Sequence, residues 1–74
     1  MENVNEPTNL MEGLISEMNR VREIIAEYKG LPKNAGMLAA SLMSIDITKA
    51  EKAIISNDVV EMLLAYNQLK GYEL

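Results

Sequence analysis

The chain has 74 residues, a formal charge of −4, no cysteine and no histidine. That length allows one domain at most, and a core this small rarely supplies more than about 3–5 kcal/mol. Disulfides and Cys/His zinc sites are excluded, oligomerisation is the remaining common support, and the acidic balance argues against duplex nucleic acid as a partner.

Residues 1–8 are polar, contain Pro7 and read as a disordered tail. They carry no basic segment followed by an apolar one, so they do not resemble a secretory leader. No apolar run approaches the ~18 residues of a membrane span. A cytoplasmic protein is expected.

Asn9 followed by Glu12 has capping-box spacing, which predicts a helix from Asn9 to Lys29, stopped by Gly30. Within it Met11, Leu14, Met18, Val21, Ile25 and Tyr28 repeat at intervals of 3, 4, 3, 4 and 3, a heptad seam. Leu10, Ile15 and Ile24 widen the stripe. Such a seam packs either on its own domain or on another chain. Arg20 and Arg22 are expected to pair with Glu17, Glu23 or Glu27.

Gly30 to Asn34 is a short connection. Pro32 disfavours helix at Leu31, and Asn34 is the expected N-cap of a second helix running to about Ile55. One face of that helix reads Gly36, Ala40, Met43, Ile47, Ala50, Ile54. Another carries Leu38, Leu42 and Ile45. Apolar residues on two faces predict burial between partners. Gly36, Ala39, Ala40 and Ser41 keep the first turns slim.

Ser56-Asn57 forms the next break, and Asp58 with Glu61 repeats the capping spacing. The third helix, about Val59 to Lys70, ends at Gly71. Val59, Val60, Met62, Leu63, Leu64, Ala65, Tyr66 and Leu69 leave it little polar surface, so it is expected to be buried nearly all round. Residues 72–74 form a short tail, frayed or docked on a neighbouring subunit. A single tetratricopeptide-like hairpin has no second copy, which excludes a solenoid. The expected architecture is all-α: a single domain over residues 9–71, one long helix plus a hairpin of two more. Its expected oligomer contacts are Met11, Leu14, Met18, Val21, Ile25, Leu38, Leu42, Leu63 and Tyr66.

The chemistry for catalysis is thin. Without Cys or His there is no thiol nucleophile and no imidazole base. The serines have no activating partner, and Glu23 with Glu27 reads as a solvated helix face. A non-enzyme without cofactor or metal is expected. One corner suits an anion: Tyr28 and Lys29 end the first helix, while Lys33, Asn34 and Gly36 open the second. Backbone N–H groups at a helix start favour negative charge. Lysines pair with phosphates, and a tyrosine ring stacks on a base. The alternative is a plain helix connection.

The segments Val21-Arg22-Glu23-Ile24-Ile25-Ala26-Glu27-Tyr28, Ala50-Glu51-Lys52-Ala53-Ile54 and Asp58-Val59-Val60-Glu61-Met62-Leu63 resemble small helical proteins of phages and prophages. The likeness covers roughly Met18 to Glu73. Proteins of that kind antagonise bacterial defence, some as oligomeric sponges for cyclic nucleotide signals, others by binding a host defence protein. This chain has no Trp and so differs from the helical sponge family built on a Trp-centred motif. The resemblance implies a signal-sequestering homo-oligomer. An inhibitor or adaptor acting on a host protein is the alternative, and a virion structural component the third.

Overall fold

The computed structural model describes residues 6–73, with side chains from Asn9 to Glu73. The described residues form three α-helices and no strand: α1 (Glu6–Lys29), α2 (Met37–Ile55) and α3 (Val59–Lys70). A single 3-10 turn, Pro32–Asn34, joins the first two. Each helix packs against both others. Gly13 meets Tyr66, and Arg20 meets Leu69 and Tyr72, so α1 and α3 run in the same direction and α2 returns between them.

The heptad seam of α1 is spent within the chain. Leu14 and Val21 are fully buried, and Met18, Ile24 and Ile25 nearly so. Across from them lie Ala40, Met43, Ile47, Ala50 and Ala53 of α2, with Met62 and Leu69 of α3. Met11 and Tyr28 border this core, half-buried. Leu14, Met18, Val21 and Ile25 therefore have no apolar surface left for a second chain. No polar or charged side chain is buried among the described residues, so the core rests on apolar packing alone.

Four local expectations need correction. The long helix begins at Glu6, so residues 6–8 are helical and Asn9 lies inside the helix. Proline is tolerated in a first turn, where its missing N–H has no helical partner. The rest of the expected tail, residues 1–5, lies outside the described residues. Asn34 does not cap α2. It stands at φ 60° in the 3-10 turn, and Gly36 occupies the N-cap position without a side-chain bond. Gly71 and Gly30 end their helices without a left-handed φ. Tyr72 is not a free tail but is tied to α1 and α2, as described below; Leu74 lies outside the described residues.

The turn between α2 and α3 follows from its residues. Asn57 adopts φ 56°, a conformation asparagine tolerates. Its N–H donates to the Ile54 carbonyl at 3.0 Å, and the Asp58 N–H donates to the Ala53 carbonyl at 3.0 Å. These two bonds make a Schellman motif. Asp58 then caps α3, its carboxylate accepting the Glu61 N–H at 3.1 Å. A single dipeptide thus closes one helix and opens the next.

Candidate functional site

The anion-binding corner is contiguous in sequence, and the structure keeps it together. Lys29, Lys33 and Asn34 are exposed, Tyr28 is half-buried at the edge of the core, and Gly36 is buried. Gly36 lies so close to Tyr28 that a Cβ would collide with the Tyr28 carbonyl. Glycine here serves the close approach of two chain segments. The Ala35 N–H is not free but donates to the Pro32 carbonyl at 3.2 Å. The first bond inside α2 runs from the Ala40 N–H to the Gly36 carbonyl at 2.9 Å, so the N–H groups of Met37, Leu38 and Ala39 lie in the unpaired first turn.

Backbone conformation sets this corner apart. Lys33 (φ 59°) and Asn34 (φ 60°) are consecutive left-handed residues, and neither is glycine. Asparagine adopts this region readily, lysine rarely. Pro32 forces the turn, and the chain must then reverse within a few residues to bring Gly36 under Tyr28.

A second feature is apolar. On α2, Leu38 is 75% exposed, and Leu42 and Ile45 are each about half exposed. Their spacing of 4 and 3 puts them on one face, opposite the core. On α3, Val60, Leu63 and Leu64 are also half or more exposed, and Val59 nearly so. The expectation of a nearly fully buried third helix fails within the single chain. Only Met62 and Leu69 are buried there, with Ala65 and Tyr66 partly so. Between α2 and α3 runs a shallow groove in which Leu64 and Ala65 lie beside Asp46, Lys49, Glu61 and Gln68, and Lys49 continues the Leu38–Leu42–Ile45 line by one more turn.

The C-terminal end of α3 is polar and locked. The Arg20 guanidinium donates to the Glu17 carboxylate at 2.8 and 3.0 Å, to the Leu69 carbonyl at 3.0 Å and to the Tyr72 carbonyl at 2.8 Å. It thereby caps the C-terminal end of α3, where the dipole is negative. The Tyr72 hydroxyl donates to Asp46 on α2. That bond, and then burial, push the Tyr72 phenol above its ordinary range. Arg22 crosses from α1 to Glu51 on α2 at 3.0 Å. The Glu17 pairing was legible in sequence from the three-residue spacing; the carbonyl contacts, about 50 residues away along the chain, were not.

Tyr66, expected at an oligomer contact, lays its ring on α1 at Gly13, where a Cβ would sit 3.3 Å from the ring. Lys70 stands 5.3 Å from the ring centroid. Among the described residues no three His, Cys, Asp or Glu side chains are grouped to hold a metal ion, and no helix is long and apolar enough to cross a membrane. Comparison with protein-family models, curated proteins and solved structures finds no match to this chain.

Proposed function

We propose that this protein is a non-catalytic helical homo-oligomer that sequesters a small anionic ligand, a cyclic nucleotide in the phage anti-defence setting suggested by its sequence resemblance. The observation that carries the assembly is the uncovered apolar face of α2 and α3. Leu38, Leu42, Ile45, Val60, Leu63 and Leu64 are all half or more exposed. Covering them offers on the order of 5–10 kcal/mol per copy, taking about 1.5–3 kcal/mol for full burial of one aliphatic side chain. Two such faces together offer about twice that, above most of the roughly 4–15 kcal/mol cost of association.

The corner supports the ligand half of the proposal. Lys33 is an exposed lysine in the left-handed region, at a cost of order 1 kcal/mol or more, and such backbone gathers at ligand sites. Lys29 and Lys33 supply positive charge beside the start of α2. Calorimetric titration with cyclic di- and trinucleotides tests this half. The expected outcome is saturable heat that weakens in Lys33→Ala. Absence of heat with every nucleotide at micromolar protein overturns it.

A second reading is favoured by the cluster Val60, Leu63 and Leu64 on α3. Here the same face engages a host defence protein, as an inhibitor or adaptor. It predicts one protein co-purifying with the tagged chain and lost in Leu63→Asp. Leu63 is half exposed, so that variant is expected to fold.

A further inference from the structure

We infer that Arg20 and Tyr72 form a clasp that holds α3 on the other two helices, and that α3 swings away as one unit, ahead of the rest of the chain, when the clasp is undone. The two ends of α3 are held in different ways. At its start the helix is tied to α2 only through the turn. There the Asn57 and Asp58 N–H groups donate to the Ile54 and Ala53 carbonyls, and the Asp58 carboxylate accepts the Glu61 N–H. These bonds stay within the turn and the helix ends it joins, so they make a pivot.

Along its length α3 has little to stand on alone. It has 12 residues, a length at which an isolated helix is marginal in water, and it buries Met62 and Leu69. By contrast, α1 and α2 share ties that α3 does not enter: Gly36 lies against the Tyr28 backbone, and Arg22 bonds Glu51 at 3.0 Å. At the far end of α3, the side-chain hydrogen bonds to the other helices among the described residues all pass through Arg20 and Tyr72. Arg20 of α1 donates to the Leu69 and Tyr72 carbonyls, and the Tyr72 hydroxyl donates to Asp46 of α2. Tyr72 thus joins both other helices at once, with its ring packed on the core. Glu17 holds the Arg20 guanidinium from within α1, so one half of the clasp is set without α3. A pivot at one end and a clasp at the other make α3 a unit of local opening. Its release uncovers the buried faces of α1 and α2 without unwinding them.

Amide hydrogen exchange of the full chain, followed residue by residue at one protein concentration, tests this. Tyr72→Phe keeps the ring and removes the hydroxyl. Exchange should rise about tenfold at the protected amides from Met62 to Leu69, the size expected for a bond to a charged group, and less than about twofold at Val21 of α1 and Ile47 of α2. Asp46→Ala should give the same rise. The double variant should add little to either single one, because both remove one bond. Asp46→Asn retains an acceptor and should stay closer to the unmodified protein. Arg20→Met keeps an apolar stem and should produce the same pattern from the α1 side.

A rise confined to the last turn of α3 is ordinary end fraying and overturns the inference. A rise shared equally by Val21 and Ile47 overturns it too, as does loss of helical circular dichroism throughout in Tyr72→Phe, since the chain then opens as a whole. No rise at Met62 in Tyr72→Phe or in Arg20→Met overturns the clasp. Each of these outcomes leaves the ligand and assembly readings untouched, because neither depends on how α3 opens.

Discussion

On the inner face of α2, Ala40, Met43, Ile47, Ala50 and Ala53 are buried against α1 and α3, while on the outer face of the same helix Leu38, Leu42 and Ile45 stand half or more exposed. Neither hydrophobicity nor size alone separates the two faces: Met43 and Ile47 inside match the outer residues in bulk, and the other three inner residues are alanines. The alanines Ala40, Ala50 and Ala53 are buried where the neighbouring helices leave little room, whereas the outer residues stand on the side where the single chain offers no neighbour. Apolar pattern therefore tells that a face seeks cover, and it does not tell which face the chain itself will cover.

Substitutions can break or sharpen this contrast. The largest effect is expected inside. Leu14→Ala removes a fully buried side chain and should cost about 2–5 kcal/mol, read as a lower denaturant midpoint with unchanged slope. Next is Gly36→Ala, whose methyl collides with the Tyr28 backbone. It should cost about 1–3 kcal/mol and shift the thermal midpoint accordingly. Asp58→Ala removes the α3 cap and should cost about 1 kcal/mol by the same measurement.

A smaller effect is expected at alkaline pH. The Tyr72 phenol is raised above its ordinary 10.0, first by its bond to Asp46 and then by burial. Above pH 10 the unfolded chain loses this proton while the folded chain keeps it. Stability contributed by the Tyr72–Asp46 contact is thus present below pH 10 and lost as pH rises through the folded value. Tyr72→Phe should flatten that part of the stability–pH curve. The smallest effect is expected on the outer face. Leu38→Ser should change the stability of the dilute, dissociated chain by no more than about 0.5 kcal/mol. A larger loss that grows with protein concentration is the expected mark of the proposed assembly covering this face.

Much of the fold was legible. The 3-4 spacing from Met11 to Tyr28 marked the apolar stripe of α1 without saying whether its own chain or another would cover it, and the Gly36–Ala50 spacing marked one of two apolar faces of α2. Asp58 with Glu61 placed the start of α3 at Val59, and Gly71 its end at Lys70. What stayed hidden was long-range or conformational. No local pattern says that Arg20 reaches the Leu69 and Tyr72 carbonyls, because the bonding partners are backbone atoms that carry no residue identity. Asn34 looked like a cap, yet the turn forced by Pro32 put it in the left-handed region one step too early. The candidate corner could be named because its five residues are neighbours in sequence. That Gly36 answers to Tyr28, rather than to a ligand, required the crossing of two segments to be seen.

The contact of Tyr66 with Gly13 has a consequence for how the helices find their places. Heptad-like stripes are nearly periodic, so one helix can slide along another by a turn and still meet apolar residues. Gly13 is a notch cut at one position, and the Tyr66 ring fills it. One turn away on α1 the ring would meet Leu10 or Glu17 instead. A helix-interior glycine costs about 1 kcal/mol against alanine. Here that cost sets a vernier mark: the bundle gives up a little helix stability and gains a single alignment of α3 on α1, and with it a fixed position for every residue on the outer face.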